Sequence, residues 1–364
     1  MSSSSPHPPP PSPTTTIKSF RLDVEYDGSR FNGFQRQTAT PAVPFAIPKR
    51  PRYDNKGQKS RVTCTVQTCL EEALCLLLDT DVATLRLRAA GRTDAGVHAK
   101  QQVVAIDIAV GNDTSSETPP GTADTVLSWP VWKIVSSINV RLPDDIVVNS
   151  FGPCSPTFEP RKACKRKRYT FTMRYRRAVP TLASATTEAN GSISSNNKKK
   201  KKTKNENSYQ GLLRGAFDSR CLWRCSWPLD PHLLREACRR LQGTHDFVAF
   251  CKDQEERQMT LERFDVQETV HPIRTYRPRE DMDNSHDDDR DNNNDGHDDV
   301  LGAPIVDTVF TMEAKGFGRQ MCRNLVGYVV DVARRERPLD KSPSDITKVH
   351  GVPASGLCLD RVWF

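Results

Sequence analysis

Residues 89–99 read AAGRTDAGVHA, which sets a guanidinium and a carboxylate, Arg92 and Asp94, between two glycines. Gly91 and Gly96 have the spacing of a phosphate loop, which needs Gly, four residues, Gly, and then Lys with Ser or Thr. Val97 and His98 follow instead, so the phosphate-reaching cation and the magnesium-binding hydroxyl are missing. Asp94 stands mid-loop, where its charge would repel a phosphate. Nucleotide hydrolysis is therefore excluded. What remains is an acid on a backbone that glycine lets approach a ligand closely. The plainer reading is that Asp94 only stabilises a turn through its own backbone bonds.

Two further features depart from simple packing. Arg323 lies two residues beyond Met321, about 200° round a helix, so it points away from the apolar stripe. Gly327 shares its face, and a glycine there is expected to clear space beside the guanidinium. The run FEPRKACKRKRYTF (158–171) places Arg161, Lys162, Lys165, Arg166, Lys167 and Arg168 ahead of Tyr169. Cations neutralise phosphates and an aromatic face stacks on an unpaired base, although Tyr169 also falls on the apolar side of its strand. A carboxylate without a His or metal partner argues against a hydrolase with an acid/base pair. It suits covalent work at a base or sugar. The deaminase signature H-x-E with P-C-x-x-C is absent. His245–Asp246 follows a helix end, so Asp246 is expected to cap the next turn while Phe247 and Phe250 pack.

The elements that must position these groups show two periods. FRLDVEY (20–26), VVAIDI (103–108), RYTFTMR (168–174) and IVDTVFTMEA (305–314) alternate or run apolar as strands. TVQTCLEEALCLLLD (65–79, Thr65 as N-cap), VWKIVSSINVRL (131–142), DPHLLREACRRLQG (230–243) and MCRNLVGYVVDVARR (321–335) repeat as helices. The second half mirrors the first, which indicates α+β with antiparallel sheet, divided near residue 150. Residues 1–17 read as unstructured, as do inserts at 38–63, 111–124, 178–210 and 278–299, because such compositions cannot offset chain entropy.

The 364 residues carry a formal charge of +8. Residues 280–299 hold ten acids and one Arg, a net −9, so the rest carries +17. A basic body suits a polyanionic partner. The 11 cysteines lack metal-ligand spacing, with Cys221, Cys225, His232 and Cys238 the nearest approach to a site, and read as reduced, buried hydrophobes. No apolar run is long enough to span a membrane. Cytoplasm or nucleus is the expected compartment. Lys198–Lys202 reads as a nuclear signal, an RNA contact or a solvated loop, and the acid-free N-terminal segment leaves organelle import open.

At this point six blocks resemble TruA-type tRNA pseudouridine synthases, in family order. They are YDGSRFNGFQRQ (26–37), GRTDAGVHA, the 158–171 run, GTHDFVAF (243–250), GFGRQMCRNLVG (316–327) and PASGLCLDRVWF (353–364). Departures include Phe34 for Trp, Cys164 for Ala and Cys322 for Val. The resemblance implies two ferredoxin-like (RRM-like) halves in one mixed, mainly antiparallel sheet, with helices on one side and a central RNA-binding cleft. It implies cofactor-free isomerisation of uridine to pseudouridine at positions 38–40 of the tRNA anticodon arm. Asp94 would be the nucleophile and Arg323 its orienting partner. Tyr169, Arg92, His98, Arg161, Lys167, Gln35 and Arg36 would bind substrate. Its bacterial members are homodimers. The rival reading is a non-catalytic RNA-binding or chaperone protein on the same scaffold.

Overall fold

The computed structural model describes residues 15–36, 64–111, 123–178, 221–253, 258–271, 304–347 and 349–364. The inserts expected at 38–63, 178–210 and 278–299, apart from residue 178, lie outside these, as does most of 111–124. The first half comprises β1 (Thr15–Tyr26), α1 (Val66–Leu78), α2 (Val82–Leu85), β2 (Arg88–Ala89), β3 (His98–Gly111), α3 (Ala123–Leu127), α4 (Val131–Arg141) and β4 (Ile146–Cys154). The second comprises α5 (Pro160–Ala163), β5 (Arg166–Arg177), β6 (Trp223–Leu229), α6 (Pro231–Leu241), β7 (Gly243–Asp246), β8 (Gln258–Leu261), β9 (Arg263–His271), β10 (Ile305–Ala314), α7 (Met321–Ala333) and β11 (Leu357–Trp363). Residue 150, the expected point of division, lies within β4.

One sheet runs β4-β1-β3-β11-β5-β10-β9, with β2 added to β3 and β6 to β5, while β7 and β8 form a separate ribbon. The pairs are antiparallel except β3–β11 and β5–β6. The two halves meet at the parallel seam, where Cys358 faces His98 and Leu359 faces Ala99. The sheet is thus mixed and mainly antiparallel.

The four expected helices form close to their expected bounds. Thr65 caps α1 by accepting from the Thr68 N–H at 3.2 Å, and Asp230 caps α6 through the His232 and Leu233 N–H groups. β1 starts at Thr15, inside the stretch expected to be unstructured, because its ladder with β3 continues to Thr15 opposite Gly111. Residues 84–88 span the end of α2 and the start of β2. β4 escapes a period-2 reading because a bulge opposite Asp23 and Val24 breaks its alternation, leaving Asn149 and Ser150 both exposed.

Strand alternation divides the basic run. Lys167, Tyr169, Phe171 and Met173 of β5 are buried on one face. Arg166 and Arg168 turn to the other, where both meet Glu313 and Arg168 also meets Asp360. The basic run at 158–171 is therefore partly an ion-paired sheet face.

At the far end of β1, Arg30 is almost fully buried and its guanidinium meets Asp145, itself buried. The Asp145 carbonyl also accepts from the Asp27 N–H at 2.9 Å. Removing one member of a buried pair strands the other charge. Asp145→Ala is expected to lower unfolding free energy in urea by about 3–5 kcal/mol. A loss below about 1 kcal/mol would mean that the pair contributes no more than an exposed one.

Candidate active site

The acid-bearing loop is fixed by backbone contact with the segment that follows β1. Gly28 lies so close to it that a Cβ there would fall 1.9 Å from the Val97 carbonyl oxygen. The Phe34 N–H donates to the Thr93 carbonyl at 3.1 Å, and the Tyr26 and Thr93 hydroxyls are 2.8 Å apart. Within the loop, the Val97 N–H donates to the Asp94 carbonyl at 3.1 Å with Gly96 at φ +81°. A type II turn of this kind requires positive φ at its third residue. Asp94 thus closes the turn with its main chain. Among the described residues its carboxylate makes no hydrogen bond or ion pair.

That carboxylate lines a cleft of about 680 Å³ where the two halves meet. Arg323, Tyr169, Arg92, Arg161, Lys167, Gln35 and Arg36 line it too, so eight of the nine residues expected at the site converge. Arg92, Arg161, Gln35 and Arg36 are exposed at its rim. Arg36 is held by α1: its guanidinium is 3.4 Å from Glu71, and its N–H donates to Gln67, which donates in turn to Glu71 at 2.7 Å. Burial raises the Glu71 carboxyl, opposed by Gln67 and Arg36.

Three expectations need correction. His98 does not reach the cleft; it is buried with Nδ1 3.1 Å from Asp27 and 3.2 Å from the Gly28 N–H. The second contact needs a bare Nδ1 and the first a protonated one, which either the Nδ1–H tautomer or the imidazolium supplies. Burial opposes charging, but Asp27 and Cys221 outweigh it and lift the pKa to about 9, so the imidazolium prevails at neutral pH. Arg323 makes no ion pair with Asp94 among the described residues; its Nε donates to the Val352 carbonyl at 2.6 Å. Gly327 does not make room for the guanidinium, because a Cβ there would lie 1.8 Å from the His350 carbonyl oxygen. It admits the backbone strap at 350–352, which in turn holds Arg323.

Lys167 is more buried than a phosphate-binding lysine would be. Its Nζ donates to the Ala90 carbonyl at 2.7 Å, and burial pushes its pKa down. Tyr169 is also buried, with Phe317 edge-on at 5.2 Å, and burial raises its hydroxyl well above the usual range. Cys322, buried beside Asp94, is raised likewise. Phe317, Arg319, Gln320 and Asp253 line the cleft without having stood out in the sequence. Asp246 behaves as expected, accepting from the Val248 N–H at 2.9 Å, while Phe247 and Phe250 are fully buried.

A sequence model of the family described as tRNA pseudouridine synthase matches residues 237–358, which include Arg323 but not Asp94. Similar curated proteins carry the name tRNA pseudouridine synthase A. That of Streptomyces avermitilis is 30% identical over 65% of this chain and 58% of its own length. That of Geobacillus is 25% identical over 89% of this chain and 86% of its own. That of Thermotoga is 26% identical over 96% and 100%. The chain is similar in sequence to the tRNA pseudouridine synthase family. It spans less than two thirds of two relatives that it matches at 30% identity, and nearly the whole of others. No described helix is long and apolar enough to cross a membrane.

The chain carries a pH signature at His98. A histidine whose folded pKa is raised contributes stability that is complete below its unfolded value of about 6.5. That contribution is lost as pH rises through about 9. Urea unfolding should therefore show the wild type losing stability over this window relative to His98→Gln. Parallel curves for the two proteins would refute the buried imidazolium.

Proposed function

We propose that this chain isomerises uridine to pseudouridine in tRNA, with Asp94 as the nucleophile. The observation that carries the reading is a carboxylate with no partner among the described residues, held by a hydrogen-bonded turn at the junction of both halves. An acid committed to structure would be expected to have its lone pairs occupied. The names of the relatives support the same substrate.

The reaction conserves atoms. The bond from uracil N1 to ribose C1′ breaks as Asp94 engages the nucleoside, and the base turns. A new bond forms from C5 to C1′; C5 loses its proton and N1 gains one. The balance needs no oxidant or cofactor. The target must leave the helical stack, at a cost of a few kcal/mol. Exposed Arg92, Arg161 and Arg36 suit contacts to the phosphates of the displaced strand. Tyr169 supplies an aromatic wall for the base. Arg323, anchored through Nε, keeps its terminal nitrogens for Asp94 once substrate fills the cleft, and a cation there favours the ionised acid.

Finer expectations stand on resemblance. The targets would be positions 38–40 of the anticodon arm, and the assembly a homodimer. Ferredoxin-like halves find support in the order β4-β1-β3-β2, which β11-β5-β10-β9 repeats.

Unmodified tRNA labelled with tritium at uracil C5 tests the reading. Wild type should release tritium and Asp94→Ala should not, while both bind tRNA. Binding without release by either protein would favour the non-catalytic RNA-binding alternative. Arg92→Ala should slow release more than it weakens binding; equal losses would remove Arg92 from the displaced nucleotide.

A further inference from the structure

The ladder between β2 and β3 ends in an unusual rung. Arg88 faces Ala105, Ala89 faces Val104, and the Ala90 N–H donates to the Val103 carbonyl at 2.8 Å. The next rung is made by a side chain. Gln102 Oε1 accepts from the Gly91 N–H at 3.2 Å, and Gln102 Nε2 donates to the Gly91 carbonyl at 2.8 Å. Gln102 is fully buried. Its main chain meanwhile faces Val24 of β1. A carboxamide carries the same donor and acceptor as a peptide, so it can extend a strand ladder by one residue after the backbones part.

Resting on the proposed activity, we infer that Gln102 is a positioning residue whose amide clamp on Gly91 sets where the loop carrying Asp94 leaves the sheet. The clamp lies three residues before Asp94. Lys167 holds the preceding carbonyl at Ala90 from β5, so the loop's root is fixed from both halves. Beyond Gly91 the next tie is Thr93, through Tyr26 and Phe34. A loop so rooted places the carboxylate without using its oxygens.

The test uses the full chain and two substitutions. Gln102→Met keeps length and removes both bonds to Gly91, along with the contact to the Tyr26 hydroxyl. Gln102→Glu keeps the acceptor for the Gly91 N–H but sets an oxygen lone pair against the Gly91 carbonyl until the carboxyl is protonated. Misplacement by about 1 Å costs about 10²-fold in rate. The single-turnover tritium release of Gln102→Met should fall by about that factor with tRNA affinity unchanged. Release by Gln102→Glu should recover relative to wild type as pH falls from about 8 to about 6, because burial raises a carboxyl into that range and its protonated form donates again. Amide exchange at residues 91–94 should quicken in Gln102→Met while α1 and α7 keep their protection, a readout independent of turnover. Unchanged exchange there, or a Gln102→Glu rate in constant ratio to wild type across pH, overturns the inference. No release from the wild type refutes the activity instead and leaves the exchange result to judge the clamp.

Discussion

The arrangement depends on one backbone lying directly upon another. Residues 28–34 press on residues 93–97 with no side chain between them, at a separation that leaves no space for a methyl group at Gly28. Because protein interiors are close-packed, such a contact transmits position rather than absorbing it. Everything that locates Asp94 follows from it: the Thr93 tie, the turn closed by Gly96, and the free carboxylate. Residues 28–36 also deliver Arg30 to Asp145 and Arg36 to Glu71, so one stretch of chain serves the core, the loop and the rim of the cleft.

Electrostatics on the two faces of the sheet differ accordingly. On the outer face, charges occur as partners: Arg168 with Glu313, Arg174 with Asp307, and Arg88 with Asp107, which Arg88 holds below the usual carboxylate range against the cost of burial. In the cleft the pattern is reversed. Asp94 has no partner there among the described residues, and Arg92, Arg161 and Arg319 are exposed at the rim. Unpaired charge retained in a concave, half-enclosed space is arranged for something that is not the protein.

Much of this was legible in the sequence where local rules act. Helices declared themselves through period and caps, as Thr65 and Asp230 show, and the strand at 305–314 has the bounds its alternation gives. The loop strings marked nearly all of the cleft. What was hidden is set by partners distant in sequence. β4 lost its alternation to a bulge, and β1 gained five residues from a ladder with β3. Lys167 looked like one of six surface cations until its strand turned it inward. Gly327 had a plausible neighbour in Arg323, but its actual neighbour, the His350 carbonyl, comes from a loop whose path no helical wheel reports. His98 sat in the right string and faced the wrong way, because the strand that follows the turn carries it under Gly28.

The seam between the halves has a consequence for synthesis. β11 is the strand through which β3 and β5 belong to one sheet, yet it is made about two hundred and fifty residues after β3. The first half can collapse as it emerges from the ribosome, since domains fold as units during translation. It does so with the seam edge of β3 uncovered and its loop facing open solvent. A ribosome that stalls before residue 357 leaves both halves made but without the strand that joins them into one sheet. The bare edge of β3 is then free to pair with whatever strand is nearest. Completion of the cleft and protection of that edge are therefore a single late event.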